Sequence, residues 1–240
     1  GGINITNEYL GSRADKLRWE DILFSTEGAS AELYFEIFAS DWFDASEEKL
    51  TFSFDTASES IGDTFIQVVQ SGPDMSKDAL YEALLCAIYS AKERIWIVTP
   101  YFVPDNSIVR ALIIAKNKGL DVKLITPKEA NHLIINLVRA SYMRALEEAG
   151  VEICLYNGAM LHAKAILFDH SSTMLGSVNL DNRSLFLNYE VATFIYSSKV
   201  IEDIETWMKK LLSNSSSDIK EVSAFRRIIE NLMRIIAPQL

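Results

Sequence analysis

Long apolar runs are missing from this chain, and so are the cysteine and charge patterns of several common protein classes. No stretch approaches the ~18–20 consecutive apolar residues that a membrane span needs, so no spanning segment is expected within it. Cysteine is scarce, with two in 240 residues. Cys86 lies in a helix-like apolar run and Cys154 in a strand-like one. Both read as reduced core residues of a cytoplasmic-side protein, which excludes a disulfide framework and a cysteine metal site. Positive charge is in deficit, with 23 Lys and Arg against 33 Asp and Glu and a net charge of −10. A nucleic-acid binder normally presents a basic face, so no DNA or RNA partner is expected. An anionic lipid is not excluded, because a few local cations decide that. No dense cluster of Asp and Glu is present to hold a metal, and no metal or other cofactor is expected.

What is present is apolar residues in quantity, 49% of the chain, with 23% charged. That supports a folded core of ordinary globular composition. The first ~60 residues differ from the rest. They carry an aromatic-rich helical stretch, Ala31 to Phe43, then a polar linker from Asp55 to Asp63. From Thr64 short apolar strands alternate with amphipathic helices. Strands are expected at Phe65–Val69, Ile95–Val98, Val122–Ile125 and Val151–Tyr156. Helices are expected at Ser76–Ala91, from an Asp105 N-cap to Gly119, and from an Asn131 cap to Gly150. That rhythm predicts a largely parallel sheet covered on both faces. After Gly158 strands crowd together at Ala163–Phe168, Thr173–Gly176 and Val191–Tyr196, so a mixed sheet is the simplest α/β reading. A polar spacer, Ser213–Ser217, leads to a predicted amphipathic helix, Asp218–Ile236. Its arginines Arg226, Arg227 and Arg234 suit either an anionic membrane surface or docking on the protein. The divisions are therefore 1–60, 61–212 and 213–240.

The chemistry concentrates in the run LHAKAILFDHSSTMLGSVN, which sets His162, Lys164, Asp169, Gly176, Ser177 and Asn179 as H-x-K-x4-D-x6-G-S-x-N. Six specified positions at ~5% each amount to roughly 10⁻⁸ per starting point. His162 and Lys164 stand two apart on a predicted strand, so both leave one face. A neutral imidazole can attack phosphorus or shuttle a proton near neutral pH. A lysine and an amide can stabilise charge on non-bridging phosphoryl oxygens. This set suits phosphodiester exchange, with Asp169 either catalytic or a loop anchor.

The run resembles the HKD motif of the phospholipase D superfamily. The segments LDNRSLFLNYE and PYFVPD (Pro100–Asp105) are similar to those of the bacterial cardiolipin synthase branch, over essentially the whole chain. The resemblance implies a phospholipase D-like mixed sheet with helices on both faces. It implies that an acidic residue downstream of the motif holds the histidine, and Glu190 is the matching position. The opening GGINITNEYL overlays GSVNLDNRSL without a gap, pairing Gly1 with Gly176, Asn4 with Asn179, Asn7 with Asn182 and Leu10 with Leu185. The expectation is a C-terminal portion: one complete half plus the tail of a first half whose own His and Lys precede Gly1. The first-half carboxylate is Asp15 by gapless alignment or Asp21 by strand context.

The implied activity joins two phosphatidylglycerol molecules into cardiolipin and glycerol through a phosphohistidine. Alternatives are phospholipase D-type hydrolysis or a non-catalytic membrane-binding fragment. Expected partners are phosphatidylglycerol, an anionic membrane surface and the missing half. The expected place is the cytoplasmic side of the cell membrane, with an N-terminal anchor in the full-length protein. Tyr101 and Phe102 are candidates for lining the lipid site or packing in the core, and His132 for facing substrate or simply starting a helix.

Overall fold

A computed structural model describes residues 1–10, 18–52, 62–129 and 133–217, together with Ile219, Ser223, Arg226, Glu230 and Leu232. Asp15, Asn131, His132 and most of the predicted C-terminal helix lie outside the described residues. The elements in chain order are α1 (Ser30–Ser46), β1 (Ile66–Ser71), α2 (Ala79–Ser90), β2 (Arg94–Val98), β3 (Phe102–Val103), α3 (Asn106–Asn117), β4 (Asp121–Pro127), α4 (Leu133–Glu148), β5 (Glu152–Tyr156), β6 (Ala165–Phe168), β7 (Ser172–Gly176), β8 (Leu180–Asp181), α5 (Asn182–Phe186), β9 (Glu190–Ile195), α6 (Ser198–Ser213) and β10 (Ser215–Ser216).

Local chemistry explains most of these boundaries. Asp105 caps α3, its carboxylate accepting from the backbone N–H groups of Ser107 and Ile108. Ser197 caps α6 through the N–H of Val200. Alternation does the rest, since successive strand side chains leave opposite faces. Ile95, Ile97, Val122, Leu124, Ile166 and Phe168 enter one core with α2, α3 and α4. Trp96, Val98, Ile125, Ala165 and Leu167 enter a second core under α6. The sheet is therefore covered on both faces by helices.

Eight strands form the main sheet in the order β1-β9-β7-β6-β2-β4-β5-β10, and β3 pairs with β8 separately. The sheet is mixed, but the parallel part is smaller than the strand–helix rhythm predicts. Only β2–β4 and β4–β5 are parallel in it. The predicted Phe65–Val69 strand, β1, does not join them; it runs antiparallel to β9 at the far edge. Its Ile66 packs on the second core beneath α6, and hydrogen bonding along six residues of β9 fixes it there.

Two other features depart from expectation. The helix α6 was not anticipated, although Ile201, Ile204, Met208 and Leu211 recur at helical spacing and are all buried. Burying each such side chain contributes about 1.5–3 kcal/mol. The Ser213–Ser217 stretch is more than a spacer: Ser215 and Ser216 pair antiparallel with Tyr156 and Leu155 and close the sheet edge. Beyond it, the Glu230 carboxylate accepts from Arg144 of α4 at 2.5 and 3.0 Å while 1% exposed, so this part of the C-terminal segment docks on the protein. Among the described residues no helix is long and apolar enough to cross a membrane.

Candidate active site

Residues 161–164 lead into β6. Lys164 is the last residue before the ladder starts, and its carbonyl accepts only a 3.4 Å bond from Gly176. His162 and Lys164 therefore precede the strand on which they were expected. The period-two alternation persists regardless. Leu161 and Ala163 are fully buried in the second core, which turns His162 and Lys164 the other way, on the side of Ile166 and Phe168.

A remote segment completes the environment. Glu20 N–H donates to the Met160 carbonyl at 2.8 Å, and His162 N–H donates to the Glu20 carbonyl at 2.7 Å, around a parallel bridge between Glu20 and Leu161. That bridge brings Asp21 alongside His162, with Oδ2 3.1 Å from Nδ1. The same carboxylate accepts from the Ile22 N–H at 2.7 Å, which fixes its orientation. Two rings flank the imidazole. Tyr9 stands edge-on at 5.4 Å and 73°, and Trp19 tilts at 5.3 Å and 43°. Restrained on three sides, the imidazole has its Nδ1 side toward Asp21.

Lys164 is 3% exposed. Its Nζ lies 2.7 Å from Nδ1 and 3.0 Å from Nε2 of His162, and 2.6 Å from the His162 carbonyl. Burial lowers the lysine pKa to about 8, against the raising pull of Asp21, Glu190 and Asp181. Those three carboxylates form an acidic surround for one buried ammonium. Glu190 is itself pushed up by burial, opposed by hydrogen bonds from Ser177 and Asn188. Asp181 is also raised by burial, although its Oδ1 accepts from Ser184 N–H at 2.7 Å.

The remaining sequence candidates divide. Ser177 is tied to β9, its hydroxyl 3.1 Å from the Val191 N–H that donates to it. Asn179 Nδ2 donates to Ser184 Oγ at 3.3 Å, while its buried Oδ1 is without a hydrogen-bond partner among the described residues. It lines a cavity of about 180 Å³ with Tyr101, Asp181, Ser184 and Asn188. Phe102, by contrast, is a core residue at 0% exposure. Asn4 is exposed, and its carbonyl accepts from Thr6 N–H.

Two expectations need correction. Glu190 does not hold His162: its Oε1 accepts from Asn188 Nδ2 at 3.3 Å, and the carboxylate on His162 is Asp21. Asp169 is not at the site. It lies at the opposite end of β6 from Lys164, in the left-handed region (φ 51°). Its carboxylate accepts from the N–H groups of Lys92, Glu93 and Arg94 at 2.8–3.2 Å. Arg94 returns a 2.8 Å bond to the Asp169 carbonyl and pairs with Glu205 of α6 at 2.7 Å. A carboxylate so engaged anchors a turn.

Glycine packing puts Asp21 and Glu190 in matching positions. A Cβ on Gly176 would stand 2.3 Å from the Val191 carbonyl, the residue after Glu190. A Cβ on Gly1 would stand 2.3 Å from the Ile22 carbonyl, the residue after Asp21. The two glycines make the same close approach, so Asp21 is the counterpart of Glu190. Tyr9, Trp19 and Asp181 were missed by sequence reasoning. The internal overlay held one signal, since it sets Tyr9 opposite Ser184, the partner of Asn179.

Residues 84–212 match the family model described as cardiolipin synthase, PLD-like domain. The chain is 32% identical to cardiolipin synthase 1 of Bacillus cereus, covering 100% of the chain and 50% of the relative. It is 34% identical to cardiolipin synthase of Alkalihalophilus pseudofirmus, covering 100% and 49%. The chain thus spans about half the length of the curated relatives it matches. Among solved structures, a phospholipase D family member, Nuc from Salmonella typhimurium, superposes with TM-score 0.56 at 25% identity, over 66% of this chain and 100% of that one. Phosphatidylserine synthase from Haemophilus influenzae superposes with TM-score 0.57 at 15% identity, over 89% and 54%.

Proposed function

The chain belongs to the phospholipase D-like family of cardiolipin synthases, and from that premise we propose that it supplies one half of a phosphatidyl-transfer site that makes cardiolipin and glycerol from two phosphatidylglycerol molecules. In this reading residues 1–60 are the remainder of a first half, 61–212 a second half, and 213–240 its C-terminal extension. The observation that carries the proposal is the pairing of His162 with Asp21 across 141 residues, beside a buried lysine.

In this reading two histidines share the chemistry. One histidine attacks phosphorus; an N–P bond forms and the P–O bond to glycerol breaks. The departing alkoxide takes a proton from the opposing histidine. The free hydroxyl of a second phosphatidylglycerol then gives its proton to that same imidazole and attacks phosphorus, and the N–P bond breaks. His162 fills one of these two positions. Asp21 accepts from Nδ1–H, which leaves Nε2 for the proton or the phosphoryl group. Lys164 balances charge on the non-bridging oxygens. By the Gly1–Gly176 correspondence, Glu190 is free to orient the other histidine, supplied by residues outside this chain. The substrates are lipids, so the protein works at a membrane surface, and we assign it to the cytoplasmic side.

The test uses a longer protein carrying both His-x-Lys motifs, incubated with phosphatidylglycerol vesicles, with cardiolipin resolved from phosphatidic acid. His162→Ala should lower turnover by ~10²-fold or more; retention of over a tenth of the activity would refute the assignment. Phosphatidic acid as the main product would replace transfer by hydrolysis. The 240-residue chain alone should yield no cardiolipin.

A further inference from the structure

Tyr9 belongs to the opening NEYL segment, to which the motif assigns no chemistry. It is 9% exposed, and its ring packs edge-on against His162 and 5.4 Å from Trp19. The hydroxyl is buried and has no hydrogen-bond partner among the described residues. Buried hydroxyls in native structures are nearly always paired, and an exception calls for a partner such as a water, an ion or a reacting group. This one shares its surroundings with Asp21 and Tyr101, which both act on it electrostatically. The Tyr9 ring is therefore next to the imidazole, on a residue that no covalent spacing ties to His162.

We propose that the Tyr9 hydroxyl is a further catalytic group of the site, donating a hydrogen bond to a non-bridging oxygen of the phosphoryl group held at His162 and Lys164. The proposal deepens the phosphatidyl-transfer reading and rests on it for the identity of the phosphoryl group. The chemistry of the phenol suits the role. Burial, then the negative charge of Asp21, raises its pKa far above the ordinary tyrosine value, so it stays a protonated donor throughout the working range. No proton is transferred; the O–H···O bond strengthens as charge gathers on the phosphoryl oxygens. Lys164 supplies charge from within the motif, and Tyr9 supplies a neutral donor from the segment carrying Asp21. Satisfying an orphaned hydroxyl adds to phosphate binding without adding a second buried cation.

Tyr9→Phe tests this directly, because it keeps the ring that packs on His162 and removes only the oxygen. In the 240-residue chain, inorganic phosphate is titrated while the His162 ring signals are followed by NMR. The unsubstituted chain should bind, and Tyr9→Phe should bind ~10-fold more weakly, the worth of one hydrogen bond to an ionised group. Equal affinity in the two chains, or no binding to the unsubstituted chain, overturns the proposal. In the longer protein acting on phosphatidylglycerol, Tyr9→Phe should lower kcat by ~10²-fold with little change in KM. Unchanged kcat also overturns it. If the unsubstituted longer protein makes no cardiolipin, the transfer reading fails, and the phosphate titration still judges Tyr9 as a phosphoryl donor.

Discussion

Replacing Lys164 by Met should make the protein more stable and nearly inactive. The lysine is 3% exposed, and burial lowers its pKa from 10.5 to about 8. At pH 7 the ammonium is charged in both folded and unfolded states, so that difference is a cost carried by the folded state. At about 1.4 kcal/mol per pKa unit it comes to about 3 kcal/mol. Methionine matches the stem in length and removes the charge. The hydrogen bond to the His162 carbonyl is lost as well, which returns about 1 kcal/mol and leaves a net gain of about 2 kcal/mol. The sign with pH follows from linkage. Between about 8 and 10.5 the unfolded chain binds more protons at this position than the folded one, so the stability of the unsubstituted protein rises with pH through that window. The advantage of the variant should shrink over the same window and disappear above it. Urea unfolding at pH 7 and at pH 10.5, with equal m-values, measures the difference. In the longer protein carrying both His-x-Lys motifs, turnover should fall by ~10²–10³-fold through loss of one charge-stabilising donor. A variant no more stable at pH 7, or one whose advantage is the same at pH 10.5, would refute the argument from burial.

Two other substitutions separate the carboxylates. Asp21→Asn keeps the shape but removes the charge that faces Nδ1 of His162, so turnover should fall by ~10²-fold or more with unfolding little changed; activity within threefold of the parent would show that Asp21 is a spectator. Asp169→Ala strips three backbone N–H groups of their acceptor, which should cost about 2–4 kcal/mol in urea unfolding. The rate per folded molecule should remain as before, and a selective loss of kcat in Asp169→Ala would return that residue to the chemistry.

Much of the molecule is legible in one dimension because the interactions responsible are local. Asp105 caps a helix with N–H groups two and three residues ahead. Alternation turns His162 and Lys164 away from Leu161 and Ala163, whether or not a ladder forms around them. The motif thus identifies its two central side chains without reference to the rest of the chain. Other facts needed the fold. Asp15 and Asp21 are the same residue type and only six positions apart. What selects Asp21 is a bridge between Glu20 and Leu161 and the close contact of Gly1 with Ile22, neither of which leaves a local pattern. Asp169 is part of the motif by spacing, but β6 carries it to the opposite end from Lys164, where the backbone of Lys92–Arg94 takes its carboxylate. The same holds for β1, whose composition suits a parallel strand and whose place at the antiparallel edge comes from its pairing with β9. Sequence spacing specifies which way a side chain leaves its own backbone. Which other backbone it meets is set by how the sheet and its two cores close, and Asp21, Glu190 and Tyr9 take their surroundings from that closure.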